Sequence, residues 1–334
     1  MIARMTYRMC LARHALVFSC IGTAALAGSA LFGPGSTELH IKLLIVLLPF
    51  VGIPHGALDY ALARQFLQPR IGKSWTFYFL ATYMLTMTIV LVAWWIHPTA
   101  SFVAFLALTV YHFGTGDSLA TPSTPLLVRI AEVLARGGLV LTLPALFNRQ
   151  EMLQLFSYLI SEPGARSVVL MLVAIMPVFA VCLLVCITWS GFQFIRSKEP
   201  LFLLQAVELA VLAALFCILP ALLAFGVYFS FLHSIRHMLR LSGNTDAGST
   251  LSAVAGMIRL ALPVTAATLA LGGSVYLLLS GVSFDMPELV RVIFIGIASM
   301  TYPHALVVSL AEHAGAISIQ RKVPAKMKME LPFR

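Results

Sequence analysis

The chain has 334 residues, of which 60% are hydrophobic and only 10% are charged. Soluble domains carry about 25% charged residues, so this composition excludes a water-soluble fold and predicts a polytopic membrane protein. The net charge of +9 does not indicate nucleic-acid binding, because the lysines and arginines lie mostly in short loops and at the termini, as topology determinants do.

Apolar segments long enough to cross a bilayer, about 20 residues each, recur along the whole chain. They predict an all-α transmembrane helix bundle of about ten spans, with Pro220 dividing the long apolar run after Leu201 into two. In chain order the predicted spans are residues 12–33, 41–64, 75–96, 99–118, 125–147, 167–191, 201–218, 220–241, 258–281 and 288–312. An alternative interpretation of the first span is a cleaved signal peptide, since small residues follow its apolar stretch.

The basic residues predict how the bundle is oriented. Clusters of lysine and arginine precede the first span, follow the second and the sixth, close the eighth with Arg236 and Arg240, and fill the tail after Arg321. With ten spans all of these clusters face one side, which the positive-inside rule identifies as the cytoplasm. We therefore predict a multi-pass protein of the inner (plasma) membrane with both termini in the cytoplasm.

Five of the nine histidines lie well inside predicted spans, away from the span ends. The other four are near span ends or in loops, and we expect them to be simple interfacial residues: His14, His40, His97 and His313. The five inner histidines all lie on even-numbered spans, and at a similar depth in the cytoplasmic half of the bilayer. They are His55, His112, His233, His237 and His304. Ionisable groups within a membrane are candidates for function, and this convergence favours a shared metal site over unrelated buried histidines.

The local sequence supports a metal site. His233 and His237 are four residues apart, so their rings stack on one helical face and can share an ion. Imidazole ligands suit Zn, Cu, Fe or Ni. Metal-bound histidines usually donate their second ring N–H to an acceptor, and Asp59 and Asp117, which closely follow His55 and His112, are candidates for this role. Glu132 and Glu208 are further candidates, while Asp59 and Asp117 have the alternative role of capping helix ends.

Four motifs, in order, carry a resemblance to a known family: PHGALD (54–59), HFGTGD (112–117), HSIRH (233–237) and PH (303–304). At these motifs the sequence resembles the Brp/Blh family of membrane-bound β-carotene 15,15′-dioxygenases, over residues 52 to 306. The resemblance implies an oxidoreductase that uses Fe²⁺ and O₂ to cleave β-carotene at its central double bond into two molecules of all-trans-retinal. The implied iron ligands are His55, His112, His233 and His237. The resemblance further suggests that His304 hydrogen-bonds a ligand or lines the substrate path.

This interpretation divides the chain into three parts. Residues 1–40 form a basic segment with the first span, residues 41–312 the catalytic transmembrane domain, and residues 313–334 a basic cytoplasmic tail. The substrate dissolves in the lipid bilayer, so an apolar tunnel beside the metal is expected to select its central bond. Candidate tunnel walls are the aromatic residues beside the ligands: Tyr111, Phe113, Tyr228, Phe229 and Tyr302. This interpretation also suggests a functional link to a retinal-binding rhodopsin.

Two other functions are compatible with an intramembrane histidine cluster. A transporter or metal permease would line its path with histidines, but at several depths rather than one. Another membrane metallo-oxygenase, such as a diiron desaturase or hydroxylase, would typically show several HxxxH and HxxHH clusters. This sequence has one HxxxH pair, at His233 and His237, and no HxxHH, which favours a mononuclear site.

Overall fold

The structure is a computed structural model that describes residues 2–121, 123–242, 250–281 and 285–314. It is 91% helical and has no strand among the residues described, which confirms the all-α prediction. The predicted loop at Gly243 and the basic tail after residue 314 lie outside the described residues. The helices are α1 (Ile2–Phe32), α2 (Thr37–Leu47), α3 (Ile53–Ala57), α4 (Asp59–Ile71), α5 (Trp75–Ile96), α6 (Pro98–Asp117), α7 (Leu126–Phe147), α8 (Arg149–Ser157), α9 (Glu162–Ser197), α10 (Pro200–Ile218), α11 (Ala221–Val227), α12 (Ile235–Ser242), α13 (Thr250–Ser280) and α14 (Met286–His313).

The helix ends follow from local sequence. Ser36 caps α2 by accepting a hydrogen bond from the backbone N–H of Leu39, because a serine oxygen can satisfy a free donor of the first turn. Gly72, with φ of 64°, ends α4 in a conformation that favours glycine. Pro220 separates α10 from α11, which confirms the predicted division of that apolar run.

Eight helical stretches in the described part of the chain are long and apolar enough to span a membrane. Two of the ten predicted spans, residues 41–64 and 75–96, fall in one continuous stretch, Thr37–Ile96. The predicted span at 125–147 corresponds to α7, which is not among the eight. Its charged residues Glu132 and Arg136 are buried inside the bundle, where they are shielded from lipid. The number of crossings stays a prediction.

Two helices pack closely because glycines remove side chains from their contact. A Cβ atom at Gly114 of α6 would lie 2.1 Å from the carbonyl oxygen of Val133 in α7. A Cβ atom at Gly137 of α7 would lie 1.9 Å from the carbonyl oxygen of Val110 in α6. These reciprocal contacts, which small residues permit in membrane helices, fix α6 against α7.

Among the residues that the structure describes, two π-helical segments interrupt the α-helical hydrogen bonding. Leu48–Gly52 joins α2 to α3, immediately before His55. Tyr228–Ser234 joins α11 to α12 and contains His233. Such segments change the direction of the side chains that follow and frequently occur at functional sites. Both therefore mark the region where the histidines meet.

Candidate metal centre

The five inner histidines form one group in the interior of the bundle, which we call the histidine cluster. Its members are His55, His112, His233, His237 and His304, and each is at most 7% exposed. They come from α3, α6, the second π-helical segment, α12 and α14. Long-range packing therefore brings together the residues that the sequence placed at one depth.

The rings of the cluster have a definite arrangement. Four of them, in the order His55, His233, His112 and His304, form a closed square, with neighbouring ring centroids 4.8 to 5.4 Å apart. The fifth, His237, lies 5.1 to 6.5 Å from every member of this square. The tightest group of ring nitrogens is that of His55, His112 and His304, which lie within 4.8 Å of one another. Three donors are thus close enough to share one ion, and the rings of His233 and His237 lie beside them.

Several of these nitrogens have no partner within the described part of the chain. There, the buried Nε2 atoms of His233, His237 and His304 make no hydrogen bond. In His233 and His304, Nδ1 lies against a carboxylate, so Nδ1 carries the proton and Nε2 presents a lone pair. A buried, unpaired polar atom is costly, whereas inward-facing lone pairs are what a metal ion requires. The donor set therefore fits a transition metal such as iron.

Two series of hydrogen bonds, each from a tyrosine through an aspartate, hold the Nδ1 sides of His304 and His233. The Nδ1 of His304 donates to Asp59 at 2.7 Å, and the same carboxylate accepts the hydroxyl of Tyr83 at 3.0 Å. In the matching series, the Nδ1 of His233 donates to Asp117 at 3.1 Å, and Asp117 accepts the hydroxyl of Tyr228 at 2.6 Å. A carboxylate behind a metal-binding histidine fixes its orientation and raises its basicity.

The first π-helical segment holds His55. Its Nδ1 lies within hydrogen-bonding distance of the Gly52 carbonyl, and 3.2 Å from the hydroxyl of Ser234. Pro54 has no N–H, which leaves the helix locally less constrained, and a π-helical turn precedes it. With Nδ1 engaged by these groups, Nε2 is the nitrogen of His55 that is left for a metal ion.

A buried ion network lies beside the cluster. It consists of Glu132, Arg136, Glu208 and Arg236, all at most 2% exposed. Glu208 accepts hydrogen bonds from Arg136 at 2.6 Å and from Arg236 at 2.9 Å. Arg236 also donates to the backbone carbonyl of Asp117 at 2.9 Å. The ion network is therefore connected to the series of hydrogen bonds from Tyr228 through Asp117 to His233.

An apolar cavity lies against the cluster. It is lined by three members of the square, His55, His112 and His304, and otherwise mainly by aromatic and aliphatic side chains. The lining includes Phe102 and Phe105 of α6, and Met152 and Phe156 of α8. A cavity with apolar walls and a few converging nitrogens is suited to a hydrocarbon whose reacting bond must be held beside those nitrogens.

The structure differs from the sequence interpretation in several positions. Phe113 and Phe229 line the cavity, whereas Tyr111 is half exposed and Tyr228 binds Asp117 instead. Glu132 and Glu208 bind arginine side chains, so their expected role as histidine acceptors is wrong. Arg236, expected to close a span at the membrane edge, is fully buried.

The prediction that His14 is interfacial is wrong, because this residue is only 5% exposed and hydrogen-bonded inside the bundle. Tyr83 is a functional candidate that the sequence analysis missed. The only signal for it in the sequence is a hydroxyl-bearing side chain within an apolar span. Arg236 does carry a signal in the sequence, since an arginine between two intramembrane histidines needs a buried partner.

Comparison with known proteins agrees with this geometry. The family model described as beta-carotene 15,15′-dioxygenase matches residues 46–312. A beta-carotene 15,15′-dioxygenase from uncultured marine bacterium 66A03 is 27% identical over 83% of this chain and 96% of its own length. A probable beta-carotene 15,15′-dioxygenase Blh from Halobacterium salinarum is 28% identical over 90% of this chain and 93% of its own length. No solved structure matches the chain. The chain therefore belongs to the beta-carotene 15,15′-dioxygenase family and is a carotenoid-cleaving dioxygenase.

Proposed function

We propose that the chain binds Fe²⁺ at the histidine cluster and cleaves β-carotene at its central 15,15′ double bond with O₂, giving two molecules of all-trans-retinal. The single observation that carries this proposal is the meeting of five buried imidazoles, three of which line an apolar cavity. The family relationship supports the class of reaction, and the geometry of the cluster supports the choice of residues that bind the metal.

The proposed metal ligands are the four histidines that the sequence motifs indicate, together with His304. The rings of His233 and His237 lie within 6.5 Å of those of His55 and His112. His304 has the same features as His233: a carboxylate on Nδ1, an unpartnered Nε2, and a place in the square. It also belongs to the tightest group of nitrogens. We therefore assign it to the ligand set rather than to the substrate path alone.

The cavity supports a long hydrocarbon as the substrate. β-Carotene has no polar group that a hydrogen bond could recognise, so only the shape and length of an apolar cavity can select its central bond. Phe113 and Phe229 stand where the cavity meets the cluster, and they position the polyene next to the histidines. The same walls exclude water, which protects reactive species from side reactions.

The reaction breaks the central C=C bond and uses both atoms of O₂, one for each new aldehyde carbon. Iron bound at the cluster supplies the redox chemistry that activates O₂. The protein's own part is to hold the rings in place. Asp59 and Asp117 keep the protons of His304 and His233 on Nδ1, so that Nε2 stays free to bind the metal. Tyr83 and Tyr228 fix the two carboxylates.

A coloured host tests this function directly. Bacteria that accumulate β-carotene are orange, and expression of the chain should bleach them while retinal, measured by chromatography, accumulates. The His237→Ala variant should leave the colour unchanged. His97→Ala is the matched control, since His97 is an exposed residue at the end of α5, and it should bleach as the wild type does. Retention of colour with the wild type, expressed in the membrane at normal levels, would refute the proposal.

We further propose the setting of this reaction. The distribution of lysine and arginine supports a position in the plasma membrane with both termini in the cytoplasm. We expect the retinal produced in this membrane to be bound by a rhodopsin, which would be the functional partner of the chain. Reporter fusions after α14 that are active only in the periplasm would contradict the orientation.

A further inference from the structure

The first helix lies outside the residues that the family model matches, 46–312, but it is packed inside the bundle. Ala15 and Phe18 of α1 are fully buried, and Phe18 belongs to the main hydrophobic core. The helix packs against α10 and against the π-helical segment that bears His233. It therefore contacts the wall of the proposed metal site.

One polar residue of α1, His14, makes two hydrogen bonds at this contact. Its Nε2 lies 2.9 Å from the backbone carbonyl of Phe231. A carbonyl can only accept, so Nε2 carries the proton. Nδ1 then presents a lone pair, which accepts a hydrogen bond from Arg236 at 3.3 Å. One neutral tautomer of His14 thus satisfies both bonds.

The two partners of His14 flank His233 in sequence. Phe231 lies two residues before it and Arg236 three residues after it. Phe231 is part of the π-helical segment Tyr228–Ser234, whose hydrogen bonding is less regular than that of an α-helix. A residue that binds the chain on both sides of His233 limits how far this turn can rotate or shift.

A second route leads from His14 to the same ring. Arg236 donates to the backbone carbonyl of Asp117, and the carboxylate of Asp117 accepts the Nδ1–H of His233. The guanidinium of Arg236 is also held by Glu208. Loss of the bond to His14 would leave one N–H of this buried guanidinium without its acceptor, while the same Nη2 atom still donates to Glu208. Both routes end at the orientation of His233.

We propose that His14 is a positioning residue: α1 uses it to hold the π-helical turn so that the Nε2 of His233 faces the metal. This inference rests on the proposed function, because it takes His233 to be a metal ligand. It also assigns α1 a role in the catalytic unit.

The test is Co²⁺ affinity, measured by competition with a chelator on the purified full-length chain in detergent, together with the visible absorption of bound Co²⁺. His14→Leu keeps the approximate volume and removes both hydrogen bonds. His14→Gln restores an amide N–H that can donate to Phe231. Val17→Ala is the control, because Val17 is an exposed residue of the same helix. The unfolding temperature of each variant is measured in parallel.

We expect His14→Leu to raise the Co²⁺ dissociation constant about tenfold, the lower end of the range for residues behind a metal ligand, and to shift the Co²⁺ absorption bands. His14→Gln should recover most of the affinity and the wild-type bands. Wild-type affinity and bands in His14→Leu would overturn the inference. Equal impairment of the Leu and Gln variants, with lowered unfolding temperature and unshifted bands, would also overturn it, since that is a packing effect alone. If the wild-type chain binds no Co²⁺, the proposed metal site itself is wrong.

Discussion

The close contact between α6 and α7 leads to a quantitative prediction for Gly114→Ala. The new Cβ atom would lie 2.1 Å from the carbonyl oxygen of Val133, whereas real Cβ contacts essentially never fall below 3.0 Å. The backbone of α7 cannot rotate out of the way, so the two helices must separate by about 0.9 Å. Overpacking of this kind costs about 3 kcal/mol at the upper end of its usual range. The better helix propensity of alanine offsets about 1 kcal/mol, which leaves a net loss of about 2 kcal/mol.

The displacement matters for function because His112 lies two residues before Gly114 on the same helix. Such a shift of α6 displaces His112 relative to the other rings, and the metal affinity should fall by at least about tenfold. Thermal unfolding of the purified chain and its iron content measure the two effects separately. Gly191→Ala is the matched control, since a Cβ atom added at Gly191, inside α9, would meet no other atom within 4 Å. The control should be neutral or slightly stabilising. Unchanged stability and unchanged iron content in Gly114→Ala would refute the reasoning.

Three further predictions concern the charged and metal-binding groups. Glu208→Gln leaves two buried guanidinium groups without a carboxylate partner, so it should lower the free energy of unfolding by about 3–5 kcal/mol. The control Glu162→Gln, which removes an exposed ion pair with Arg166, should change that free energy by less than about 1 kcal/mol. Equal effects of the two substitutions in thermal unfolding would contradict this prediction. Asp59→Asn should weaken metal binding by about 10- to 100-fold in chelator competition, and wild-type affinity would show that the carboxylate does not orient His304. Removal of the metal with a chelator should abolish retinal formation and Fe²⁺ should restore it; retinal formation that persists in the metal-free chain would exclude the metal-dependent reaction.

Much of the fold could be predicted from composition alone. Low charge content and apolar segments of membrane-spanning length predict a helix bundle, and Pro220 marks the end of a helix because of its own chemistry. The span at 125–147 shows the limit of this reasoning. Its helix is present, but Glu132 and Arg136 are placed by partners on other helices, and no local pattern reveals such partners.

The sequence predicts which residues belong to the site better than it predicts which of them contact one another. The shared depth of five histidines indicates the cluster, but proximity in sequence suggests the wrong partners for the aspartates. Asp59 follows His55 by one turn but binds His304, and Asp117 binds His233 rather than His112. Each carboxylate points across the bundle to another helix, so its partner depends on the packing of helices that are distant in sequence.

The π-helical segments and His14 could not be found from the sequence for a related reason. A π-helical turn contains an extra residue, which the surrounding tertiary contacts must accommodate. The sequence around Tyr228 has no local feature that requires such a turn. His14 is separated from Phe231 by 217 residues. Its location near the end of the first span is equally compatible with an interfacial residue, and only the packed bundle shows that it is buried.

Binding of iron by the histidine cluster can be measured directly as the amount of iron per purified chain. We predict about one iron per wild-type chain and per His97→Ala chain, as expected for donors that share a single centre. We predict a large loss of iron from His55→Ala, His112→Ala and His304→Ala, each of which removes a donor from the tightest group of nitrogens. Wild-type iron content in these three variants would show that the histidine cluster does not bind the iron.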